Sequence, residues 1–276
     1  HVLTHTLHYG LGAFEGVRCY KCSDGRSAVF RLGDHMLRLS QSLHILGIEP
    51  PYTVEEMSAA CLETIRANGL EECYIRPIVF IGDGEMGLAA VDNPINMSVA
   101  VWPWGSYLGE DGIANGIRVK TSSFQRFAVN SQMTKAKAVG HYINSILASL
   151  ESRRAGYDEA LMLDTDGYAA EGCGENLFIV RGGKVKTPPI ATVLEGVTRN
   201  SAMDLLAAAG IEVVEERFTR DEIYIADEAF FTGTAAEITP IRSLDDRTLG
   251  SGEPGPVTRR VQADYFAAIK GERPER

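Results

Sequence analysis

The residue with the clearest chemical potential is Lys137, in the stretch Thr134-Lys-Ala-Lys-Ala-Val-Gly-His-Tyr142. Alanines on both sides and a nearby glycine leave room for a flat cofactor beside it. Partial burial disfavours the charged ammonium, and a neutral amine can attack a carbonyl to form a Schiff base. A lysine just before a helix is more often a surface residue, and the stretch alone also fits that interpretation.

Three further stretches carry groups that suit a phosphate. Arg31 follows a predicted strand, and an arginine there can bind phosphate oxygens with two parallel donors. Leu194-Glu-Gly-Val-Thr198 opens a predicted helix, whose free amides and threonine hydroxyl attract anions. Gly233-Thr-Ala-Ala-Glu237 follows a strand and offers more small-residue amides. Each stretch also has an ordinary interpretation, namely a solvated arginine, a common helix start and a tight turn.

Two carboxylates lie close together in Glu171-Gly-Cys-Gly-Glu-Asn176. A carboxylate facing a ring nitrogen would keep that nitrogen protonated and strengthen a cofactor as an electron sink. A solvated acidic turn is the default alternative. A metal site is rejected because no histidine cluster at ligand spacing accompanies the two glutamates. Paired carboxylates for sugar hydrolysis remain open, although no aromatic residues for sugar binding lie close by in sequence.

Tyr74 and Arg76 are two positions apart in a predicted strand, so they share one face of it. A phenol beside a guanidinium suits the recognition of a substrate carboxylate, whereas an internal ion pair of Arg76 is the ordinary alternative. No serine or cysteine is spaced with a histidine to indicate a nucleophilic triad.

Hydrophobic periodicity and turn residues predict the elements that must position these groups. The expected strands are Val17–Tyr20, Ala28–Leu32, Cys73–Ile81, Asn96–Trp102, Ile117–Thr121, Glu159–Leu163, Asn176–Arg181, Ile211–Arg217 and Glu228–Thr232. Three helices are expected from their caps: one capped by Asp34, one with a capping box of Thr53 and Glu56, and one with a capping box of Thr219 and Glu222. Three more are expected at Gly140–Ala155, Val197–Ala209 and Pro256–Lys270. The first of these has Ile143, Ile146, Leu147 and Leu150 on one face.

The chain of 276 residues is large for one core, which favours two lobes. Pro103-Trp-Gly-Ser-Tyr-Leu-Gly109 interrupts the pattern and is the best linker. We therefore predict a small α/β domain over residues 1–102, a linker over 103–113 and a larger, strand-rich domain over 114–276 that carries Lys137.

Composition narrows the class of protein. The net charge of −10 argues against nucleic acid or an anionic membrane as partner. No apolar run is long enough to span a bilayer, and there is no signal-peptide pattern, so we expect a cytoplasmic protein. The five cysteines are scattered, which is unlike a disulfide framework. A redox or metal role for Cys19-Tyr-Lys-Cys22 is a minor possibility, and a redox role for Cys173 stays open.

Together the motifs resemble the fold-type IV aminotransferases that use pyridoxal 5′-phosphate (PLP), and among them most closely the branched-chain amino acid aminotransferases. Their order and spacing are specific, whereas any single motif is a weak match. The stretches that carry the resemblance are His8-Tyr-Gly10, Ala136-Lys-Ala138, Glu171-Gly-Cys-Gly-Glu-Asn-Leu-Phe178, Gly233-Thr-Ala-Ala-Glu-Ile-Thr-Pro240 and Gly255-Pro-Val-Thr258.

The resemblance implies a mixed α+β and α/β fold, with a small α/β domain, a larger pseudo-barrel domain with outer helices, and a cleft between them. It implies a homodimer at least, often a hexamer, with Met86-Gly-Leu88 reaching across the dimer. The substrates would be branched-chain L-amino acids, with 2-oxoglutarate as acceptor, giving 2-oxo acids and glutamate. Same-fold alternatives are a D-amino acid aminotransferase and an aminodeoxychorismate lyase, and a non-catalytic homologue is a third.

The resemblance also assigns roles to residues. Lys137 would form the Schiff base and move the proton, Glu171 would pair with the pyridine nitrogen, and Tyr142 would contact the cofactor's phenolate oxygen. The other cofactor-binding residues would be Arg31, Arg126, Leu194, Gly196, Val197, Thr198 and Thr234. The substrate-binding residues would be Tyr9, Phe14, Gly16, Tyr74, Arg76, Trp104, Tyr107, Thr234 and Ala235.

The chain departs from the family pattern in two places. It starts where the family usually already has a strand, and Phe127-Ala-Val-Asn-Ser-Gln-Met133 differs from proline-bearing versions of that segment. Neither departure touches the predicted cofactor residues.

Overall fold

The structure is a computed structural model that describes residues 1–50, 52–89 and 92–272. The chain divides into two compact units. The first unit contains His1–Trp104 and Lys135–Tyr142, and the second contains Gly105–Thr134 and Ile143–Arg276.

The lysine segment belongs to the first unit, although the sequence assigned it to the second domain. Backbone pairing explains the difference, because Ala138 forms a bridge with Ala13 and the Phe14 N–H donates to the Lys137 carbonyl over 3.1 Å. The predicted domain boundaries stay a prediction, and residues 273–276 of the last predicted domain lie outside the described residues.

The first unit is built on a five-stranded antiparallel sheet in the order β1-β4-β2-β3, with β5 pairing with β4. Its strands are β1 Gly12–Phe14, β2 Val17–Lys21, β3 Ser27–Val29, β4 Cys73–Ile81 and β5 Ile95–Trp102. Its helices are α1 His5–Tyr9, α2 Leu32–Ile45 and α3 Val54–Ala67, with a 3₁₀ turn at Val139–Tyr142. Apolar side chains of α2, α3 and the inner sheet face form one core, in which Met36, Leu39, Leu43 and Met57 are fully buried.

The third strand and the following helix of this unit differ from the sequence prediction around Arg31. The strand ends at Val29, and α2 begins at Leu32 rather than after Asp34. Arg31 is the residue before the helix and adopts a left-handed backbone conformation, with φ at 50°. Asp34 therefore lies in the first helical turn, where its carboxylate favours the helix dipole and pairs with Arg31 over 2.7 Å. The capping box of Thr53 and Glu56 is confirmed.

A buried charge network ties β1 to α2. Glu15 is fully buried, and its carboxylate accepts hydrogen bonds from Arg38 Nε and Nη2 over 2.7 and 2.8 Å. The ring Nδ1 of His35 lies 2.8 Å from the same carboxylate. Burial would raise the pKa of Glu15, but the charge of Arg38 and the hydrogen bonds from His35 and Arg38 hold the pKa well below its usual range.

We expect Glu15→Gln to lower the free energy of unfolding at neutral pH by about 3 kcal/mol, because it removes the buried carboxylate partner of Arg38. The folded pKa of Glu15 is depressed, so this stabilisation is present above the unfolded pKa and is lost as the pH falls towards the folded one. Wild-type stability should thus decline below about pH 5 more steeply than that of Glu15→Gln.

Urea unfolding at neutral and acid pH measures both effects. Glu63→Gln, on the exposed side of α3, is the matched control and should leave the stability and its pH dependence unchanged. Equal pH slopes for the wild type and Glu15→Gln would contradict the electrostatic account.

The second unit is a nine-stranded sheet whose central strands close into a ring. Its strands are β6 Ile117–Thr121, β7 Glu159–Leu163, β8 Ala169–Glu171, β9 Asn176–Arg181, β10 Lys184–Thr187, β11 Val213–Glu215, β12 Glu228–Gly233, β13 Glu237–Leu244 and β14 Arg247–Thr248. The order β11-β10-β9-β12-β13-β6-β7-β8 is closed by pairing of β8 with β9. A closed sheet of this kind is a barrel, and β9 and β12 are buried along nearly their whole length.

Five helices belong to this unit: α4 Glu110–Asn115, α5 Ile143–Arg154, α6 Val197–Ala208, α7 Arg220–Tyr224 and α8 Pro256–Ile269. Inside the ring, apolar side chains of the strands and of α7 pack into a second core around Phe231, Ile241 and Phe218. The capping box expected at Thr219 is absent from the described contacts of α7, because the Thr219 hydroxyl bonds to Asp221 and not to the Glu222 amide.

The helix after the lysine does not bury its large apolar side, as its amphipathic pattern would lead one to expect. It begins as a 3₁₀ turn, and α5 then buries small residues, namely Ser145, Ala148 and Ser152. Its large aliphatic side chains point to solvent, and these are Ile143, Ile146, Leu147 and Leu150. The side of α5 that packs on β7 thus carries small side chains, and its large apolar side chains are exposed among the described residues.

No helix in the described part of the chain is both long and apolar enough to cross a bilayer. Within residues 1–50, 52–89 and 92–272, no group of three or more His, Cys, Asp or Glu side chains is placed to hold a metal ion.

Candidate active site

The first unit holds the lysine together with two aromatic rings. Lys137 Nζ donates a hydrogen bond of 2.7 Å to the Tyr142 hydroxyl and lies 5.1 Å from the centre of the Phe14 ring. The Phe14 and Tyr142 rings are 5.2 Å apart. The ε-amino group is thus held between a phenol and an aromatic face, in a half-buried position that suits a nucleophilic amine.

Close backbone approach fixes the chain around this lysine. The Gly140 N–H donates to the Gly10 carbonyl over 3.0 Å. A Cβ on Gly10 would lie 2.9 Å from the Cα of Gly140, and its φ of 72° also favours glycine. Gly10 and Gly140 are therefore required by the close approach of the two backbone segments.

Arg76 lies among aromatic rings in the same unit. Its guanidinium carbon is 4.7 Å from the Phe14 ring centre, 5.6 Å from that of Tyr74 and 5.9 Å from that of Trp102. Its buried Nε has no hydrogen-bond partner among the described residues. A buried donor without a partner, in an aromatic surround, is suited to an incoming carboxylate.

The Tyr74 side chain packs against the backbone of Gly16, the residue before β2. A Cβ on Gly16 would collide with the Tyr74 hydroxyl oxygen, so only glycine leaves room for the phenol. The Tyr74 ring also contacts Trp104 edge-on, with 4.7 Å between centroids. The structure thus brings Phe14, Gly16, Tyr74, Arg76 and Trp104 close to one another, as a shared pocket requires.

Two predicted residues of the first unit have other local partners. Arg31 pairs with Asp34, and Tyr9 packs on His5 with 4.7 Å between ring centroids. Arg18, which the sequence analysis did not select, donates from Nη2 to the Trp104 carbonyl over 2.8 Å and so supports that indole.

In the second unit the central carboxylate is Glu171, the last residue of β8. Arg126 Nε lies 2.5 Å from its Oε1, and both side chains are almost completely buried. The Arg126 guanidinium in turn covers the Phe127 ring at 3.9 Å. A buried arginine holds the carboxylate in one orientation, which a partner for a ring nitrogen requires.

The segment before α6 is tied to the same carboxylate. Glu171 Oε2 accepts the Leu194 N–H over 3.3 Å, and the Asn176 side chain donates to the Leu194 carbonyl over 2.8 Å. A Cβ on Gly196 would collide with Asn176 Oδ1, so glycine is required at the helix N-cap. Asn176 is a functional candidate that sequence reasoning passed over, although it stands within the quoted Glu171 motif.

The remaining predicted groups of this unit lie at element ends. Val197 and Thr198 begin α6, and the Thr198 side chain is buried. Thr234 and Ala235 form the turn between β12 and β13. Tyr107 is half-buried, and burial, with the nearby charges of Glu175 and Glu159, raises the pKa of its phenol, so the hydroxyl stays protonated.

Cys19 and Cys173 lie in environments that disfavour a thiolate. Cys19 and Cys22 are buried free thiols, and burial, with the neighbouring Cys73, raises the pKa of Cys19 to about 12. Burial, together with the charge of Glu159, raises the pKa of Cys173 far above its usual range. Reactive cysteines have low pKa values, so the structure offers no support for the redox roles considered from the sequence.

The sequence profile of the family described as amino-transferase class IV matches residues 12–244. The chain belongs to the class IV aminotransferase family. The branched-chain-amino-acid aminotransferase of Pseudomonas aeruginosa is 52% identical over 272 residues, which cover 99% of this chain and 88% of that protein. The family predicted from the motifs is thereby confirmed.

Solved structures of class IV aminotransferases agree with the fold. The crystal structure of the Escherichia coli branched-chain amino acid aminotransferase matches with a TM-score of 0.96 and 43% identity, covering 100% of this chain and 91% of that one. The branched-chain amino acid aminotransferase of Thermobaculum terrenum in its PLP-bound holo-form matches with a TM-score of 0.91 and 36% identity, covering 99% and 89%. The predicted fold class, a small α/β domain with a larger pseudo-barrel domain and outer helices, is confirmed.

Proposed function

We propose that this class IV aminotransferase moves the amino group of L-leucine, L-isoleucine or L-valine to 2-oxoglutarate with PLP as cofactor. The observation that carries the proposal is the Lys137 amine held 2.7 Å from the Tyr142 hydroxyl, in the unit that also contains the aromatic-lined Arg76. A relative that matches nearly the whole chain at 52% identity carries the branched-chain name, and one solved relative is in a PLP-bound form.

The chemistry of the side chains fits PLP. A half-buried primary amine, a buried carboxylate paired with arginine and a helix N-terminus with a buried threonine are the groups that this cofactor requires. When bound, PLP withdraws electrons from the substrate carbon and so makes its proton removable.

Lys137 is the group that holds PLP covalently and moves the proton in this proposal. Its amine is directed by the Tyr142 hydroxyl, and the Phe14 ring restricts its other side. Tyr142 would in addition contact the phenolate oxygen of the cofactor. A positioned amine of this kind is an effective acid and base for proton transfer.

Glu171 would keep the ring nitrogen of PLP protonated, and Arg126 holds the orientation of its carboxylate. The phosphate is assigned to Arg31, to the α6 start at Val197 and Thr198, and to the turn residue Thr234, while Leu194 and Gly196 line the ring. Amides at a helix start and at a tight turn favour an anion, which supports these assignments.

Substrate carboxylates are assigned to Arg76 and Tyr74, with the amides of Thr234 and Ala235. The apolar side chain would meet a second group, consisting of Tyr9, Phe14, Gly16, Trp104 and Tyr107. Aromatic walls with a guanidinium at their edge accept both an aliphatic side chain and a carboxylate, as a two-substrate pocket must.

An assay with L-leucine and D-alanine, each with 2-oxoglutarate, tests the proposed function. We expect glutamate formation from L-leucine and little from D-alanine. The reverse preference would assign the D-amino acid alternative. Formation of pyruvate from aminodeoxychorismate would assign the lyase, and a purified protein without a yellow chromophore would support the non-catalytic homologue.

We expect Arg76→Gln to reduce kcat/KM for 2-oxoglutarate by about 10- to 100-fold, since a charge-assisted hydrogen bond to the second carboxylate is lost. The loss for L-leucine should be smaller, because leucine has one carboxylate. Steady-state kinetics with each substrate varied in turn measure the difference. Arg66 is an exposed arginine on α3, and Arg66→Gln should change neither kcat/KM value. Equal losses for both substrates in Arg76→Gln would argue against discrimination by Arg76.

We also infer that the enzyme is at least a homodimer. The exposed aliphatic stripe of α5, formed by Ile143, Ile146, Leu147 and Leu150, supports a second copy as its cover. Sedimentation of the wild type and of Ile146→Glu would test this. A wild-type monomer would contradict it, while a hexamer would add a further interface. Roles for the exposed Met86 and Leu88 across the dimer, and the cytoplasmic location, stay predictions.

A further inference from the structure

Ser42 of α2 is bonded to the backbone of the lysine. Its side chain is fully buried, and its Oγ accepts the Lys137 N–H over 3.0 Å, across 95 positions of sequence. On the other side of the same residue, the Lys137 carbonyl accepts the Phe14 N–H over 3.1 Å. Both backbone groups of Lys137 are therefore held, one by a strand and one by a serine hydroxyl.

The serine itself lies on an anchored helix face. His35, Arg38 and Ser42 are spaced i, i+3 and i+7, which places them on one side of α2. The first two bind the buried carboxylate of Glu15, the residue that follows Phe14. The helix face that bonds to Lys137 is thus fixed to the same segment that holds the lysine carbonyl.

Loss of the hydroxyl would act on the lysine through its backbone. A backbone N–H at a buried site needs an acceptor, and Lys137 lies outside any regular helix or strand that could supply one. Rotation about the lysine φ and ψ angles would swing the long side chain and move Nζ away from the Tyr142 hydroxyl. Displacement of a reacting group by about 1 Å lowers rates by about 100-fold.

We propose that Ser42 is a positioning residue for Lys137, which it orients by accepting the lysine's backbone N–H. The inference rests on the proposed function, in which Lys137 forms the Schiff base. Ser42 touches neither substrate nor cofactor in this account.

Two variants test the role. Ser42→Ala removes the acceptor, and Ser42→Cys keeps a side chain of similar size with a weak acceptor in its place. Ser40→Ala, on the same helix, is the matched control, since Ser40 makes no side-chain hydrogen bond among the described contacts. The measurements are kcat and KM for L-leucine, the pH titration of the yellow chromophore, and borohydride trapping of PLP on the Lys137 peptide by mass spectrometry.

We expect both Ser42 variants to reduce kcat about tenfold or more, because a displaced amine is less well placed for proton transfer, with KM changed less than about twofold. The chromophore's titration midpoint should shift, and trapping at a limiting PLP concentration should fall by about the same factor. Ser40→Ala should match the wild type. Melting temperatures of the PLP-free variants show whether a loss of fold contributes.

Two results would overturn the role. Ser42→Cys with wild-type kinetics, titration and trapping would mean that only the volume of the side chain matters. Ser42→Ala that loses stability, yet keeps the wild-type titration midpoint and kcat when fully loaded, would reduce Ser42 to ordinary packing. Failure of the proposed function looks different, because the wild type itself would then show no borohydride-trapped PLP on Lys137.

Discussion

Lys137→Ala should reduce kcat for L-leucine with 2-oxoglutarate by at least about 1,000-fold. The variant lacks the amine that we propose forms the Schiff base and moves the proton, and positioned acid–base groups alone contribute about 10²- to 10⁴-fold. The Tyr142 hydroxyl loses its 2.7 Å partner but gains no basic group in exchange. Steady-state kinetics and borohydride reduction, followed by peptide mass spectrometry, measure the two consequences.

Lys135→Ala is the matched control, two positions away in the same segment. Its side chain is half-buried rather than fully solvated, so a small loss of stability is compatible with normal chemistry. We expect near-normal kcat and a borohydride label on Lys137. Substantial turnover by Lys137→Ala, or a label on Lys135 in the wild type, would remove the assignment of the nucleophile.

Glu171→Gln should slow turnover by about 10²- to 10³-fold, the usual effect of losing one charged group placed against a reacting centre. A neutral amide does not keep the ring nitrogen protonated, so the cofactor withdraws electrons less strongly. The structure adds a second consequence. Arg126, 2.5 Å away, becomes a buried cation without its carboxylate, which destabilises the fold by about 3 kcal/mol.

Pre-steady-state absorbance and urea unfolding separate these two effects. Glu222→Gln breaks the ion pair with Lys186 in the same unit and serves as the control for loss of an ion pair. It should leave turnover unchanged, with little loss of stability because that pair is partly exposed. If Glu171→Gln turned over at the wild-type rate, its role at the ring nitrogen would be wrong, whatever its stability.

The partners of Glu15 and Ser42 could not be predicted from residue patterns. In the sequence, Glu15 stands in a glycine-punctuated stretch and Ser42 in an amphipathic helix, and neither position indicates a partner. The structure joins each to a group far along the chain, Glu15 to Arg38 and Ser42 to Lys137. Hydrogen bonds between distant segments depend on the packing of the core, which local periodicity does not encode.

The backbone conformation of Arg31 and the orientation of α5 could not be predicted from residue patterns either. The sequence pattern predicts a strand that continues through Arg31 to Leu32. In the structure the chain turns at Arg31 in a left-handed conformation, and α2 then packs on the sheet. The pattern at Ile143, Ile146, Leu147 and Leu150 correctly predicted a helix with one apolar side. It could not show that this side faces away from β7, because periodicity identifies a face and not what covers it.

Residue patterns alone were enough to predict the family and the fold class, and they indicated PLP chemistry. Lys137 among small residues, the Glu171 motif and the turn after β12 are local patterns whose residue types follow directly from what PLP requires. The packing of distant segments, in contrast, places the lysine segment in the first unit, pairs Arg126 with Glu171 and bonds Ser42 to the lysine backbone. These are contacts between residues far apart in sequence, and they exist only once the cores have closed around them.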